Sequence, residues 1–337
     1  MDIILKISQE LMCRQEQVAA AVKLIDEGCT IPFIARYRKE ATGSLNDEQL
    51  RTLDERLTYL RGLEDRKEKV LASIEEQGML TDELKKSILA AETLVAVEDL
   101  YRPYKPKRKT RATIAQSKGL TGLANIISLQ MTNKPIPEEA LAYVSEEKEV
   151  HSAEEAIAGA MDIIAESISD NAEYRTEIRS LTMDKGILMT TAKDPEAESV
   201  YEMYYDFSTP VRKMAGYRTL AINRGEKEKF LSVKIEAPVD EITGYLIRQV
   251  IVRDNPNTND ILRNTITDSY ERLIAPSIER DIRSSLTEAA EDGAIKVFGS
   301  NLKQLLMQPP INGHVVLGWD PAFRTGCKLA VVDATGK

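Results

Sequence analysis

The 337-residue chain is long enough for more than one domain, and its 42% hydrophobic content can fill more than one core. Charged residues make up 29% of the chain and only 17 glycines and 13 prolines interrupt it, which favours helices over a β-rich sandwich or a disordered tail. The net charge of -9 argues against a protein that coats nucleic acid through its overall charge, so any polyanion site must be a local patch. We therefore expect a mainly α protein of two or three domains.

Cysteine and histidine are scarce in this chain. Neither residue type shows metal-ligand spacing, and the number of cysteines is odd, so we expect no zinc site and no disulfide framework. Their positions are Cys13, Cys29, Cys327, His151 and His314. No glycine-rich phosphate loop, His-Glu-x-x-His motif or Gly-x-Ser-x-Gly turn occurs either. The prediction is a protein without a cofactor, a metal or a small-molecule substrate.

The amino terminus and the apolar runs bear on location. Residues 1–12 are apolar but lack the basic flank and the small-residue cleavage site of an export signal. No later apolar run approaches the length of a membrane span. We therefore expect a cytoplasmic protein with no membrane partner.

The first forty residues predict two short helices and a connector. The second helix runs from about Arg14 to Glu27, and Gly28 stands where a left-handed cap would end it. Residues 30–43 are predicted to be a partly ordered connector, because Pro32 limits helix entry. The connector carries the cationic residues Arg36, Arg38 and Lys39.

A long helical arm is predicted over about 46–100. Asn46 and Gln49 have capping-box spacing, and leucines then recur three and four residues apart up to a stop at Gly78. A second helix is predicted from Thr81 to about Leu100, packed antiparallel on the first across a short turn.

Helices and two short strands are predicted after residue 120. Ser152 and Glu155 have capping-box spacing ahead of an amphipathic run. Residues 186–192 and 230–237 are apolar or β-branched and bounded by breakers, as is typical of strands. Helices are expected again over about 258–307.

The end of the chain has the character of a β-hairpin. Two apolar strands are predicted at Val315–Asp320 and Cys327–Asp333, on either side of a turn containing proline and glycine. An isolated hairpin has too little core to offset its ordering cost, so we expect it to begin a larger domain. The predicted division is a helical domain at 1–185, a mostly helical region with short strands at 186–312, and the start of a further domain at 313–337.

A basic segment stands out by its charge. Tyr101–Lys118 contains seven basic residues and no acidic one, within a chain that is acidic overall. Lysine and arginine neutralise phosphates and release counterions, and Tyr101 and Tyr104 would add stacking on exposed bases. The alternative is that these cations pair with nearby acidic helices or cap helix C-termini. The candidate nucleic-acid-binding residues are Arg102, Lys105, Lys107, Arg108, Lys109 and Arg111.

The cations of the connector allow the same two interpretations. They could contact phosphate, but residues in a loop between helices often bind neighbouring carbonyl and carboxylate groups. For Arg36, Arg38 and Lys39 we favour this structural role.

Three long segments carry a family resemblance. They read IPFIARYRKEATG at 31–43, LYRPYKPKRKTRATIA at 100–115 and LGWDPAFRTGCKLAVVD at 317–333. With these segments, in this order, the chain resembles the Tex family of bacterial transcription accessory proteins. The resemblance extends over nearly all of the chain, with one departure: the family usually places Asp-Pro-Gly after the first strand of the hairpin, where this chain has Asp320-Pro321-Ala322.

The resemblance implies both architecture and function. It implies a helical amino-terminal region with a helix-turn-helix-like element, then an RNase H-like α/β domain of the YqgF type, helix-hairpin-helix repeats and an OB-fold RNA-binding domain. On that basis the chain is expected to be truncated at the start of the RNase H-like domain. The implied function is a non-catalytic scaffold that binds RNA, including mRNA, or DNA in support of transcription.

Two other functions stay open. A metal-dependent RNase H-like nuclease or resolvase would use Asp320, but it needs several further carboxylates downstream to bind its metal ions. A protein-interaction module would dock its helices on the transcription or translation machinery, in keeping with the acidic balance.

Overall fold

The computed structural model describes residues 2–106, 109–309, 311, 313–322 and 326–337. The prediction of a mainly α protein with small β elements is confirmed. By their backbone contacts the residues form two compact units, the first comprising 1–183 with 237–278 and the second 184–236 with 279–337. The division at residues 185 and 312 stays a prediction.

The elements follow one another in chain order. The helices are α1 (Ile3–Glu10), α2 (Gln15–Asp26), α3 (Ile31–Tyr37), α4 (Asp47–Glu76), α5 (Asp82–Ala90), α6 (Leu94–Tyr101), α7 (Arg111–Ser117), α8 (Thr121–Leu129), α9 (Ile136–Ala140), α10 (Ala153–Asp170), α11 (Ala172–Lys185), α12 (Gly216–Lys227), α13 (Val239–Val250), α14 (Asn259–Asp268) and α15 (Ala275–Leu306). A π-helical turn, Ser269–Ile274, joins the last two. The strands are β1 (Ile187–Ala192), β2 (Asp206–Pro210), β3 (Leu231–Glu236), β4 (Val316–Ala322) and β5 (Gly326–Val332).

Helix α4 is the long helix that the capping box predicts. Asn46 Oδ1 accepts a hydrogen bond from the Gln49 amide at 2.8 Å, and Gln49 Oε1 accepts one from the Asn46 amide at 3.1 Å. Along the predicted stripe, Leu50, Leu53, Leu57, Leu60 and Ile74 are buried and Leu71 is partly buried. Burying a leucine side chain contributes about 1.5–3 kcal/mol, so this stripe supplies much of the local stability. The predicted left-handed cap at Gly28, which ends α2, is also confirmed by its φ of 84°.

The connector prediction is wrong for residues 31–37, which form helix α3. Pro32 lies in the first turn of this helix, where a backbone N–H has no partner within the helix, so proline is tolerated there. Ile34 is completely buried in the core that α1–α4 share. Residues 31–37 therefore form a helix whose Ile34 is buried in the core, although the local sequence signals predict a loop.

The predicted single helix from Thr81 to Leu100 is also wrong, because the chain breaks between α5 and α6. Thr93 caps α6 by accepting a hydrogen bond from the Ala96 amide at 3.2 Å. After the break, Arg66 contacts Glu98 and Ser73 contacts Tyr101, so α6 advances along α4 in the same direction. The antiparallel packing predicted for this segment does not extend to α6.

Small antiparallel sheets lie in the second unit. Strand β1 is central, with β2 on one side and β3 on the other, and β3 packs on α12. Strands β1 and β3 were predicted, whereas the short polar sequence of β2 contains no strand signal. The predicted terminal hairpin is confirmed, with β4 and β5 paired antiparallel from Val316–Val332 to Ala322–Gly326.

Candidate nucleic-acid interface

The basic segment, residues 102–111, begins where α6 ends. Tyr101 is only 7% exposed, and its hydroxyl lies 2.9 Å from Ser73 Oγ. The guanidinium of Arg66 covers its ring at 5.4 Å. The prediction that Tyr101 stacks on an exposed base is therefore wrong, because its side chain is buried, with Arg66 over the ring and Ser73 at the hydroxyl.

A 3-10 turn carries the chain out of α6. It spans Arg102–Tyr104, with Pro103 in its first turn. Gln77 Nε2, at the end of α4, donates a hydrogen bond to the Tyr104 carbonyl at 3.0 Å. The end of α4 therefore holds the start of the basic segment in a fixed position.

A buried ion-pair network anchors the last turn of α6. Arg175 Nε donates to Asp99 Oδ1 and Arg179 Nη2 donates to Asp99 Oδ2, each at 2.7 Å. The side chain of Arg175 is completely buried and that of Asp99 is 4% exposed. Burial lowers the pKa of Arg175, although its hydrogen bond to Asp99 opposes this shift. Both arginines come from α11, so the network joins α11 to the helix that leads into the basic segment.

Arg102 faces this network. Its side chain is half-buried, and its Nε is buried without a hydrogen-bond partner among the described residues. Burial is the main cause that lowers the pKa of Arg175, and the positive charge of Arg102 lowers it further. The hydrogen bond from Arg175 to Asp99 acts in the opposite direction. Of the predicted cations that the structure describes, Arg102 is thus the one turned toward the interior.

Lys105 faces solvent with a loose partner. Its side chain is 59% exposed, and its Nζ lies 3.9 Å from Glu98 Oε2. Glu98 has a closer partner in Arg66, whose Nε donates to Oε1 at 2.6 Å. Because an exposed pair at such a distance contributes little, Lys105 can exchange Glu98 for a phosphate at small cost.

Lys109 and Arg111 flank the start of α7. Thr110 and Thr113 form a reciprocal capping pair, with the Thr113 amide donating to Thr110 Oγ1 at 3.1 Å and the Thr110 amide donating to Thr113 Oγ1 at 2.8 Å. Both cations are exposed, and neither forms an ion pair within 4.0 Å with a described residue. The cap therefore positions two unpaired positive charges next to each other at a helix start.

Arg111 also lies at the edge of a cleft of mixed charge. The cleft has a volume of about 620 Å³ and is lined by α7, α10 and the turn before α10, with Lys118 and Asp162 among its residues. Asp162 and Asp268 are held by Arg272, at 2.8 Å and 2.6 Å. Arg272 binds both carboxylates directly, whereas Arg111 acts on Asp268 through its charge and helps to lower the pKa of that residue without an ion pair within 4.0 Å.

The predicted cations are thus in different situations. Lys105, Lys109 and Arg111 are exposed to solvent, whereas Arg102 faces inward. Lys107 and Arg108 lie outside the described residues. The alternative, in which these cations pair with nearby acidic helices, applies to Lys105 through its loose contact with Glu98, whereas Lys109 and Arg111 form no ion pair within 4.0 Å with a described residue.

Sequence reasoning missed the residues that hold the segment in place. Asp99 pairs with arginines 76 and 80 positions away, and Gln77 reaches a carbonyl 27 positions away. No local pattern relates residues so far apart. The one available signal was a lone aspartate on the apolar helix α6, a residue type that is rarely buried without a partner.

Asp320 lies on β4, opposite Lys328 of β5, and is exposed. Within the described ranges, no group of three or more His, Cys, Asp or Glu side chains is arranged to hold a metal ion. Among the same residues, no helix combines the length and the apolar character that a membrane span requires.

The chain is thus a mainly helical, acidic protein that exposes cationic side chains at Lys105, Lys109 and Arg111, and comparison with known proteins identifies its family. Family models match in succession: the Tex-like protein N-terminal domain at 1–75, the Tex central region-like model at 131–298 and the Tex protein YqgF-like domain at 314–337. The chain belongs to the Tex family.

Individual relatives agree with this assignment. The chain is 50% identical over 335 residues to the uncharacterized protein YdcI of Bacillus subtilis, covering 98% of the chain and 47% of that protein. It is 41% identical over 347 residues to the transcriptional accessory protein Tex of Neisseria gonorrhoeae, covering 100% of the chain and 45% of that protein. It is 31% identical over 337 residues to human S1 RNA-binding domain-containing protein 1, covering 95% of the chain and 33% of that protein. The chain thus spans less than half the length of these curated relatives.

Proposed function

We propose that this chain is a non-catalytic, cytoplasmic scaffold that binds nucleic acid, RNA in particular, in support of transcription. The observation that carries the proposal is the exposed group Lys105, Lys109 and Arg111, positioned by the end of α4 and the cap of α7 on an otherwise acidic protein. The names of two relatives support it, since one is a transcriptional accessory protein and another carries an S1 RNA-binding domain.

The expected mode of binding is contact with phosphates. Lysine and arginine side chains release condensed counterions when they neutralise phosphates, so affinity falls as salt rises. Each phosphate contact adds about 0.7 to 0.9 to the slope of the logarithm of the binding constant against the logarithm of the salt concentration. Such contacts position a nucleic acid without reading its bases, so the basic segment by itself provides affinity without sequence preference.

The test is neutralisation of the exposed cations. In a variant with Lys105→Gln, Lys109→Gln and Arg111→Gln, we expect weaker binding of labelled RNA and DNA and a salt dependence whose slope is smaller in magnitude by about 2 to 3, as expected for the loss of three phosphate contacts. Fluorescence anisotropy at several salt concentrations measures both quantities. A second variant, with Lys107, Arg108 and Lys109 replaced together, should behave in the same way.

The matched control removes the same charge elsewhere. Lys85, Lys86 and Lys134 are exposed, and none forms an ion pair with a described residue. Their replacement by glutamine changes the net charge equally, so it should leave the salt slope near that of the parent protein. Equal binding by the parent and the Lys105, Lys109 and Arg111 variant would remove the basic segment from the mechanism.

The remaining parts of the proposal have their own tests. Incubation of labelled RNA and DNA with the full chain and Mg²⁺ or Mn²⁺ should leave both intact, whereas cleavage that an Asp320→Asn variant abolishes would favour the nuclease alternative. Competition between RNA and DNA of one sequence tests the preference for RNA. The helix-turn-helix-like element and the binding of mRNA remain predictions from the resemblance.

A further inference from the structure

Helix α3 and the turn after it present exposed aromatic and cationic side chains together. We name Phe33, Arg36, Tyr37, Arg38 and Lys39 the α3 patch. The rings of Phe33 and Tyr37 lie 5.3 Å apart, and the side chains are 37% and 61% exposed. The guanidinium of Arg38 lies 5.3 Å from the Phe33 ring centre, and that of Arg36 lies 6.0 Å from the Tyr37 ring centre. In the described part of the chain, this is the one contacting pair of aromatic rings in which both residues are exposed.

The cations of the α3 patch lack acidic partners. Arg36, Arg38 and Lys39 form no ion pair within 4.0 Å with any other described residue. Two other arginines that cover rings are neutralised: Arg56, over Tyr59, binds Glu10 at 2.6 Å, and Arg66, over Tyr101, binds Glu98 at 2.6 Å. Arg218, which lies over the rings of Phe207 and Tyr217, forms no ion pair within 4.0 Å with a described residue either. The α3 patch therefore differs from the contacts at Tyr59 and Tyr101 in the absence of counter-charges, and from the Arg218 contacts in grouping three such cations beside two exposed, contacting rings.

The turn that carries the patch is held rigidly. Thr42 is completely buried, and its hydroxyl donates to the Arg38 carbonyl at 3.2 Å. Gln17 Nε2 donates to the Gly43 carbonyl at 2.8 Å, and the Ser44 amide donates to the Lys39 carbonyl at 2.7 Å. A surface ordered before it binds loses less conformational entropy on binding. The patch is thus built as a preorganised surface.

A purely structural role explains only part of this arrangement. Arg36 lies in the last turn of α3, where a positive charge is favourable beside the carbonyl ends of the helix. Arg38 and Lys39 lie beyond the helix, and the exposed ring of Tyr37 contributes little buried area. A structural role for Arg36, Arg38 and Lys39 therefore does not explain why the two rings are exposed or why the cations have no acidic partners.

We propose that the α3 patch binds single-stranded nucleic acid, with a base stacked on Tyr37 and the flanking phosphates bound by Arg36, Arg38 and Lys39. Aromatic faces accept any base once it is unstacked, and a duplex keeps its base faces covered. The α3 patch therefore provides a preference for single strands, which phosphate contacts alone cannot provide. The inference rests on the proposed nucleic-acid-binding function and adds a second site to it.

The experiment uses the full chain and an unstructured oligonucleotide of about ten nucleotides, within the range of known single-strand site sizes. A 2-aminopurine base near the middle reports stacking by loss of fluorescence, and RNA and DNA forms are tested in parallel. Tyr37→Leu removes the ring, and we expect it to weaken single-strand binding about five-fold or more, as for the loss of one stacked base. Most of the 2-aminopurine quenching should disappear with it, while duplex binding should stay at the parent level.

Matched variants separate stacking from other effects. Tyr37→Phe keeps an aromatic face and should retain binding and quenching. Tyr59→Leu removes an exposed ring whose arginine is paired with Glu10, and it should leave both readouts unchanged. Arg36→Gln combined with Arg38→Gln should weaken single-strand binding and lower its salt slope. Thermal unfolding of each variant confirms that the fold is retained.

The possible results separate the stacking site on the α3 patch from the proposed nucleic-acid-binding function on which it rests. Parent-level binding of single strands by Tyr37→Leu, or equal losses in Tyr37→Leu and Tyr37→Phe, would overturn the stacking site and leave the basic segment in place. Failure of the parent chain to bind any nucleic acid would overturn both proposals. A loss confined to the Lys105, Lys109 and Arg111 variant, with no effect from the α3 patch variants, would assign all binding to the basic segment.

Discussion

Two groups of cations in the first unit show how differently the same residue types are used. Arg175 and Arg179 converge on Asp99 in a buried network. Lys109 and Arg111 stand exposed on either side of the α7 cap, with no ion pair to a described residue. The buried group lies on a helix of mixed charge and the exposed group in a run of cations. Whether a lysine or arginine can bind a polyanion therefore depends on whether another part of the fold supplies a carboxylate that already binds it.

The largest expected effect comes from breaking the buried group. Asp99→Asn would leave Arg175 and Arg179 near each other without the carboxylate that both bind. Removal of one partner from a buried ion pair costs about 3–5 kcal/mol, because an uncompensated charge stays inside the protein. Urea denaturation followed by circular dichroism should show a loss of this size in the free energy of unfolding.

The control for this variant is an exposed pair. Asp65 binds Lys69 at 2.7 Å on the solvent face of α4, with both side chains more than half exposed. Asp65→Asn should cost no more than about 1 kcal/mol, because surface pairs are weak. Similar losses in the two variants would contradict the distinction between the buried and exposed groups.

An intermediate effect is expected where the arm holds the basic segment. Gln77→Ala removes the hydrogen bonds from Nε2 to the carbonyls of Tyr104 and Ser73. A typical hydrogen bond of this kind contributes about 0.5–1.5 kcal/mol, so the loss should loosen residues 102–106 without unfolding the protein. Hydrogen–deuterium exchange should speed up in that segment alone.

A nearby glutamine provides the comparison for the arm contact. Gln116 is exposed on α7, and its side chain forms no hydrogen bond with other described residues. Gln116→Ala should leave exchange in residues 102–106 unchanged. Unchanged exchange in Gln77→Ala would show that the arm does not order the basic segment.

The smallest effect concerns the electrostatic neighbourhood of Arg111. The hydrogen bond from Arg272 lowers the pKa of Asp268 below its usual 3.8, burial opposes this, and the charges of Arg272 and Arg111 add to the lowering. Since the folded-state pKa is depressed, the ionised carboxylate contributes stability above its unfolded pKa. That contribution is lost as the pH falls below about 4 and through the lower folded pKa.

Removing the charge of Arg111 should therefore raise the pKa of Asp268 slightly. Carbon-13 NMR titration of the Asp268 carboxyl group in Arg111→Gln measures this shift. Lys109→Gln serves as the control and should leave the titration unchanged, because the charge of Lys109 is not among the causes of the Asp268 shift. An unchanged titration in Arg111→Gln would contradict a contribution of the Arg111 charge to the pKa of Asp268.

Local signals predicted a large part of the helical architecture. The Asn46–Gln49 pair marked the start of α4, and Gly28 marked the end of α2, because the hydrogen bonds and backbone conformations involved span only a few residues. Strand β2 was missed because its sequence DFSTP pairs with β1 without an apolar pattern of its own. The break before α6 was missed because Thr93 lies within a helical period that continues on both sides of it.

The same difference between local and distant interactions separates the correct and incorrect predictions about the basic segment. The charge of the basic segment is a property of the sequence, and the exposure of Lys105, Lys109 and Arg111 agrees with it. The burial of Tyr101 and the inward orientation of Arg102 could not be predicted, because they depend on Ser73, Arg66 and Arg175 from other helices. The aromatic pair of the α3 patch became visible only once residues 31–37 were seen to form a helix, which places Phe33 and Tyr37 one turn apart.

The sequence by itself determined the helix ends marked by a capping box or a glycine, such as those of α2, α4 and α10, where positive charge is concentrated and which family the chain resembles. These properties depend on hydrogen bonds and side-chain patterns within a few residues of each other. The tertiary structure alone decided which cations are neutralised, since the carboxylate of Asp99 meets its arginines across 76 and 80 positions of chain. Counter-charges and burial are non-local, so a basic stretch becomes a candidate site only after the fold has assigned its partners.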